Sequence, residues 1–279
     1  MKIGFNEATT LKNSTLESDL YLCNEVGFDY IEIRIDKIKE YLESHKMEEL
    51  VNFFNTNRLK PFAFNALEGI NFRSREQHEE LLKELNYLCN LGTTIGCSTI
   101  VVVPSFDVGY RTVTEIKDNT VSVLEELASI TQKYGMRLAL EFVGYPNCCI
   151  NTLSQAYDIV ASLDRPDVGI VLDCFHLHAM NSRVEDIYSL DPEKLFIVHL
   201  DDAEELPPGI LRDEHRVWPG DGVARLGEIF KALKTIGFDG IVSVEIFRPE
   251  YWQWEPSETV RVAKEKAEAV LKRYWGDEG

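Results

Sequence analysis

The sequence lacks both the long apolar run of a membrane helix and the apolar segment of a secretory signal. None of its 279 residues fall in a run that approaches the roughly 18 consecutive apolar positions typical of a membrane span. The N-terminus, Met1-Lys-Ile-Gly-Phe-Asn-Glu7, becomes polar too early for a signal peptide. We therefore expect a cytoplasmic protein that does not contact a membrane.

Basic residues are also scarce. The chain has 29 Lys and Arg against 47 Asp and Glu, so its formal net charge is −18. Such a surface repels the phosphate backbone of nucleic acid. Nucleic acid is therefore excluded as an expected partner, while the charge points to no particular substrate.

Paired cysteine motifs are absent as well. The six cysteines form no C-x-x-C pair and do not have zinc-finger spacing. We expect reduced thiols that pack as small hydrophobic side chains. The adjacent Cys148 and Cys149 could bind a soft metal ion, but simple packing is the favoured interpretation.

The sequence does contain a repeated unit: an amphipathic helix, a glycine and then an apolar run rich in β-branched residues. The glycines are Gly27, Gly96, Gly135 and Gly237, and glycine readily adopts the left-handed conformation that ends a helix. Eight candidate strands follow from this pattern, at residues 2–5, 30–34, 60–65, 99–104, 137–141, 168–173, 195–200 and 241–245. Helical patterns alternate with them, near residues 15–25, 36–55, 75–94, 115–134, 152–163, 183–190, 225–236 and 257–274.

Eight strands that each precede a helix predict an α/β protein with a closed (β/α)8 TIM barrel. An open doubly wound sheet usually has a glycine-rich phosphate loop after its first strand. Here that segment is Phe5-Asn-Glu-Ala-Thr-Thr10, which has no such motif. No Pro/Gly/Ser-rich linker interrupts the pattern, so we expect one domain over residues 1–279.

Four of the candidate strands end in a polar side chain. Glu141, Asp173, His199 and Glu245 lie at the ends of the fifth to eighth strands. In a parallel barrel the carboxyl ends of all strands face one rim, so these side chains can converge. Each acid taken singly is more typical of a loop cap or a salt bridge, but four such groups on consecutive strands favour a shared site.

Three neighbouring carboxylates would repel one another, and each buried charge left unpaired costs roughly several kcal/mol. A divalent cation removes that penalty. Three oxygen donors and one imidazole suit Mn, Zn, Co or Mg better than an ion that prefers thiolates. The sequence therefore predicts one divalent metal ion and leaves its identity open.

Other side chains lie where they could reach the same pocket. The imidazole of His176 and the guanidinium of Arg216 could bind substrate oxygens and stabilise negative charge on them; structural hydrogen bonds are the alternative. Further residues follow strand ends or lie in the seventh loop, and each could equally be structural: Asn6, Glu7, Asn65, Phe72 and Trp218.

These residues, together with the Pro219-Gly220-Asp221-Gly222 loop, resemble the pattern of the xylose-isomerase-like sugar isomerase/epimerase barrels over the full length. Tyr30-Ile-Glu-Ile-Arg34 and Ser243-Val-Glu-Ile-Phe-Arg-Pro-Glu-Tyr251 resemble most closely the members that act on inososes, which are cyclic keto-polyols. The resemblance implies a metal ion on Glu141, Asp173, His199 and Glu245. It also implies that Glu141 and Glu245 form an acid/base pair, with His176 and Arg216, and by position Trp218 and Asn6, contacting the substrate.

The activity implied by the resemblance is an isomerisation in inositol catabolism. The ketone of 2-keto-myo-inositol would move by one carbon, through a cis-enediolate, to give 1-keto-D-chiro-inositol. A ketose 3-epimerase or a hydroxypyruvate-type isomerase is the alternative within the family, followed by a non-catalytic metal- or sugar-binding barrel. The expected partner is a small polyol ketone or ketose, and a homo-oligomer is compatible with the sequence.

Overall fold

Eight parallel strands close into a barrel in the computed structural model, which describes residues 1–276. The barrel strands follow one another around the wall in chain order, and the last pairs with the first, while two short strands, Asp202–Ala203 and Arg216–Val217, form a small antiparallel sheet beside the barrel. The predicted TIM barrel is confirmed; residues 277–279, the end of the predicted domain, lie outside the described residues. In chain order the strands are β1 (Lys2–Asn6), β2 (Tyr30–Arg34), β3 (Lys60–Leu67), β4 (Thr99–Val102), β5 (Arg137–Glu141), β6 (Val168–Asp173), β7 (Leu195–Leu200), β8 (Asp202–Ala203), β9 (Arg216–Val217) and β10 (Ile241–Val244).

Helices cover the outer face of the barrel. Ser74 with Gln77 and Thr112 with Glu115 form reciprocal caps that start two of the longest helices. Among the described residues, no helix combines the length and the apolar character needed to cross a bilayer. The α-helices are α1 (Leu16–Val26), α2 (Ile35–Ser44), α3 (Met47–Thr56), α4 (Arg75–Ile95), α5 (Val113–Thr131), α6 (Leu153–Leu163), α7 (Cys174–Ala179), α8 (Leu226–Thr235) and α9 (Pro256–Tyr274).

The structure differs from the sequence prediction in three helical regions. The predicted helix over 36–55 is wrong: α2 and α3 are separate because the backbone is extended at His45 and Lys46. There the ring of His45 stacks on Tyr41, with centroids 4.2 Å apart. Residues Val184–Ser189 form a 3-10 helix where an ordinary helix was predicted over 183–190. The six-residue α7 was not predicted, because one and a half turns give too little periodicity to detect.

Side chains fill the barrel interior as far as its amino-terminal end, which is the floor of the barrel. Val101, Ala139 and Val171 belong to a buried apolar cluster inside the strands, while the outward faces pack against the helices. At the floor, the Arg137 guanidinium lies 4.2 Å from the ring centroid of Phe196 and 5.4 Å from that of Phe62. The three residues plug the amino-terminal end of the barrel.

The cysteines are unbridged, as expected from their spacing. Five of the six are buried, and Cys149 is half-buried. Burial raises the pKa of Cys148 to about 12 and that of Cys149 to about 11. Because the thiolate is the form that binds metal, these values favour simple packing over a soft-metal site at the vicinal pair.

Candidate functional site

The four polar strand-end residues lie together inside the barrel mouth. Glu141 and Asp173 end β5 and β6, His199 lies near the end of β7, and Glu245 directly follows β10. Side chains at alternate positions of a strand point to the same face of the sheet. Each of these four side chains therefore points into the barrel, on the same face as the interior residue two positions before it in the sequence. All four are buried, and one potential ligand atom from each lies within 4.8 Å of the others.

His199 lies at the centre of this cluster. Its Nδ1 is 2.8 Å from Glu141 Oε1, 3.1 Å from Glu245 Oε2 and 3.7 Å from Asp173 Oδ2. One imidazole nitrogen and three carboxylate oxygens therefore converge, which is a donor set suited to Zn, Mn, Co or Mg. The structure brings these groups together as the sequence predicted, and their role as metal ligands stays a prediction.

The crowded charges shift the pKa values within the cluster. Burial raises the pKa of Glu141 to about 8, although His199 acts in the opposite direction. Burial would lower the pKa of His199, but the carboxylates of Glu245, Glu141 and Glu32 hold it well above its ordinary value. Both shifts show that the site attracts added positive charge, whether a proton or a cation.

Arg216 supplies a fixed positive charge beside these carboxylates. Its Nη1 donates to Asp173 Oδ2 at 2.7 Å and to Glu245 Oε2 at 3.3 Å. It also donates to Asp201, a residue that the sequence analysis missed. Burial would raise the pKa of Asp173, but Arg216 and the nearby histidines hold it well below its ordinary value. Arg216, predicted to contact substrate, therefore also neutralises part of the cluster.

Asp201 orients the guanidinium of Arg216 by accepting a hydrogen bond from its Nη1. It is fully buried, and its second carboxylate oxygen accepts a hydrogen bond from the backbone N–H of Phe175 at 2.7 Å. Asp201 follows His199 by two positions, just beyond the end of β7. The strand-end pattern that identified His199 could therefore have identified Asp201 as well.

The donor chemistry of the cluster fits a divalent cation. Five buried carboxylates meet here: Glu32, Glu141, Asp173, Asp201 and Glu245. Within residues 1–276 the basic side chains in contact with them are Arg216 and His199. Uncompensated buried charge is costly, and a cation among the three oxygens that face His199 Nδ1 would offset it.

His176 lies at the edge of the same cluster, on α7. Asp173 caps this short helix by accepting the backbone N–H of His176 at 2.6 Å. The Nε2 of His176 lies 3.0 Å from Arg216 Nη2, and its Nδ1 is buried with no hydrogen-bond partner among residues 1–276. Because Nδ1 remains available for a hydrogen bond and His176 lines the cavity wall, contact between His176 and the substrate stays a prediction.

Gly144 allows α7 to approach the loop that follows β5 closely. A Cβ built on Gly144 would lie 2.3 Å from the carbonyl oxygen of His176, a distance that requires backbone movement. We expect Gly144→Ala to destabilise the fold by about 1–3 kcal/mol through overpacking and to displace His176, which would raise KM. Thermal unfolding and steady-state kinetics would measure both effects. A variant with unchanged Tm and KM would show that the backbone yields without cost.

Asn6 and Trp218, which were also predicted to contact substrate, contact other side chains of the protein in the structure. Asn6 Nδ2 donates to Glu245 Oε1 at 2.8 Å, and Asn65 Nδ2 donates to the same oxygen at 3.3 Å. Trp218 stacks on Tyr251, with centroids 4.5 Å apart, and does not line the cavity described below. Asn6 thus holds a carboxylate of the cluster, while Trp218 packs the seventh loop against the eighth. Their direct contact with substrate stays a prediction.

A cavity opens above the cluster. It encloses about 600 Å³ including its mouth, and its walls contain His176, Arg216 and Glu245 together with the rings of Tyr145 and Phe247. The candidate metal ligand Glu141 also lines it, so a bound molecule would touch the cluster directly.

Comparison with known proteins agrees with this geometry. Residues 20–273 match the family described as "Xylose isomerase-like TIM barrel". The chain belongs to this family. The predicted family is therefore confirmed over nearly all of the chain.

Closely similar relatives of the same family are known. An inosose isomerase of Bacillus velezensis is 47% identical, and one of Bacillus subtilis is 46% identical, each over 99% of both chains. A crystal structure described as IolI protein with a binding zinc atom has 46% identity and a TM-score of 0.97, covering 99% of this chain and 100% of that one. These relatives confirm the predicted enzyme class, an isomerase.

Proposed function

We propose that this chain is a metal-dependent isomerase that moves the ketone of an inosose by one carbon, converting 2-keto-myo-inositol to 1-keto-D-chiro-inositol in inositol catabolism. The observation that carries the proposal is the convergence of Glu141, Asp173, His199 and Glu245 below an open cavity. It is supported by full-length relatives, about half identical in sequence, that are named inosose isomerases.

The four residues would hold one divalent ion, with Zn, Mn, Co and Mg all compatible with the donor set. Zinc is favoured because the similar IolI structure is described as binding it. When bound, such an ion would act as a Lewis acid that polarises the ketone of the substrate.

Glu141 and Glu245 are the proposed acid/base pair. Both carboxylates face the cavity, and both lie within about one hydrogen-bond length of the same nitrogen of His199. One glutamate removes the proton from the carbon next to the ketone, which gives a cis-enediolate. The other glutamate, which carries a proton at the start, donates it to the former carbonyl carbon, while the hydroxyl proton passes from the neighbouring oxygen to the former carbonyl oxygen. The ketone has then moved by one position. The roles exchange in the reverse direction.

Arg216 and His176 are the proposed partners of the developing negative charge. Arg216 Nη2 lies 3.0 Å from His176 Nε2, so the two groups form a continuous polar wall of the cavity. Donors already fixed beside the place where charge develops stabilise it without reorganisation. We therefore assign both residues to binding the enediolate oxygens.

The charges of the cavity favour a neutral substrate. Within the described residues, its wall contains two guanidinium groups, and both are already paired with carboxylates. Arg34 Nε donates to Asp36 at 2.9 Å, while Arg216 binds Asp173, Asp201 and Glu245. The positive charge of both described guanidinium groups is thus already partly offset, which disfavours the permanent carboxylate of a keto acid, so a polyol ketone is favoured over a hydroxypyruvate-type substrate.

The experiment is an isomerase assay in deuterated water with one ion at a time. Protein stripped by a chelator should be inactive because the ketone is not polarised, and reloading with Zn, Mn, Co or Mg should restore turnover to different extents. NMR would follow the conversion of 2-keto-myo-inositol and the uptake of deuterium at the reacting carbon.

D-fructose and D-tagatose serve as the second arm of the same assay. Turnover of these open-chain sugars alone would favour a ketose 3-epimerase. Tight binding without any exchange of carbon-bound hydrogen would favour a non-catalytic barrel. Full activity in the stripped protein would contradict the metal requirement.

We further propose that the enzyme works in the cytoplasm without nucleic-acid or membrane partners. Its unbridged cysteines support a reducing compartment, and its net charge of −18 disfavours nucleic acid. A homo-oligomer is compatible with this proposal.

A further inference from the structure

A buried glutamate outside the proposed ligand set contacts the far nitrogen of His199. Glu32 Oε1 and Oε2 lie 3.2 Å and 3.3 Å from His199 Nε2. Glu32 is 1% exposed and His199 is fully buried, so the pair is shielded from bulk solvent. Sequence reasoning placed Glu32 in a strand but gave it no role.

The contact crosses the barrel interior. Glu32 lies on β2, and β1 and β10 separate this strand from β7 in the wall. Glu32 pairs in register with Asn6 on β1 and with Ala63 on β3. The glutamate therefore reaches His199 as an inward-pointing side chain, and its contact is not a by-product of strand pairing.

We propose that Glu32 is a positioning residue, which holds the proton of His199 on Nε2 and leaves the Nδ1 lone pair directed at Glu141, Asp173 and Glu245. Glu32 Oε2 lies within hydrogen-bond distance of Nε2, whereas three carboxylates face Nδ1, so a ring N–H on Nε2 has an acceptor of its own outside the proposed ligand set. A cation bound at Nδ1 takes the place of the second ring proton, and the imidazole then keeps one proton, on Nε2. The inference rests on the proposed function, because it assigns Glu32 to the metal site.

The alternative is that His199 serves Glu32 only as a structural partner. That role predicts lost stability in a Glu32 variant without any specific effect on cation binding. The positioning role predicts a specific loss of metal affinity, because a histidine ligand whose other nitrogen loses its carboxylate is less basic and less well oriented.

The first measurement uses the unaltered protein. Zinc-loaded protein labelled with ¹⁵N-histidine should show His199 protonated on Nε2 in a long-range ¹H–¹⁵N spectrum, with Nδ1 shifted by zinc. Zinc on Nε2 with the proton on Nδ1 would overturn the inference. This measurement needs no variant, so it tests the positioning role of Glu32 even if the Glu32→Gln substitution prevents folding.

The second measurement compares zinc affinity by competition with a chromophoric chelator. Glu32→Gln should bind zinc about 10- to 100-fold more weakly than the unaltered protein. Glu7→Gln is the matched control, because Glu7, a candidate pocket residue in the sequence, does not line the cavity. It is an equally buried glutamate that accepts the backbone N–H of Arg34 at 2.9 Å and lies 3.7 Å from Lys37 Nζ. This substitution should lower Tm but leave zinc affinity unchanged.

The outcomes separate the inference from the proposed function. Unchanged zinc affinity in folded Glu32→Gln, beside a zinc-binding and active unaltered protein, would overturn the positioning role alone. An unaltered protein that binds no divalent ion would overturn both. Equal affinity losses in Glu32→Gln and Glu7→Gln would assign the effect to general destabilisation and would also overturn the positioning role.

Discussion

Glu245→Gln is expected to lower kcat by about 10²–10⁴-fold, the usual contribution of a positioned acid or base. The amide keeps the size of the side chain and can still accept from Asn6, which lies 2.8 Å from Oε1, but it cannot take up or return a proton. Steady-state turnover of the inosose, together with the zinc content of the purified variant, would measure the effect. Full activity with normal metal content would contradict the proton-transfer role.

The exchange of substrate hydrogen gives a sharper test of the same pair. If Glu245 returns the proton, Glu245→Gln should still exchange the carbon-bound hydrogen of the starting ketone with deuterated water, while Glu141→Gln should not. The matched control is Glu250→Gln, since Glu250 is exposed and paired with Arg248 at 3.1 Å. Its turnover should equal that of the unaltered protein.

Arg216→Leu is expected to destabilise the fold by about 3–5 kcal/mol, the cost of leaving the partners of a buried ion pair without compensation. Arg216 is 1% exposed and binds Asp173 at 2.7 Å. The loss should be larger in metal-stripped protein, because a bound cation supplies part of the missing positive charge. Turnover should fall by about 10²–10³-fold as well, if Arg216 stabilises the enediolate. Urea unfolding with and without zinc, and kcat of the folded variant, would measure these effects.

A second arginine provides the control. Arg165 binds Asp167 through two hydrogen bonds of 3.0 Å and 2.7 Å, but it precedes β6 at the opposite end of the barrel and is partly exposed. A pair of this kind contributes only about 0–1 kcal/mol. Similar losses in Arg165→Leu and Arg216→Leu would show that burial of the cluster does not matter, which would contradict the argument.

The barrel could be predicted from the sequence because its signals are local and repeated. Gly27 and Gly96 end α1 and α4 in the left-handed conformation, as the repeated unit predicted. The break between α2 and α3 could not be predicted, because no proline or glycine marks His45 and Lys46. The local contact seen at the break, the ring of His45 stacked on Tyr41, leaves no signal in the apolar pattern.

A single rule was enough to predict four residues of the candidate site. Side chains at the carboxyl ends of consecutive parallel strands converge, and this rule identified Glu141 and its three neighbours in the cluster. Glu32 was missed because it lies in the middle of β2 and not at its end. A buried carboxylate at such a position indicates a role only once its partner across the barrel, His199, is known. Trp218 was assigned to the pocket from its loop alone, whereas its ring is covered by Tyr251.

The plug that Arg137, Phe62 and Phe196 form in the floor has a kinetic consequence. With that end filled, we expect both the ion and the ketone to reach the cluster through the open mouth of the cavity. The proposed ion therefore has to arrive before the ketone, and it can leave only after the product has departed. Saturating substrate should then shield the enzyme from chelators, so the order of mixing would set the rate of inactivation.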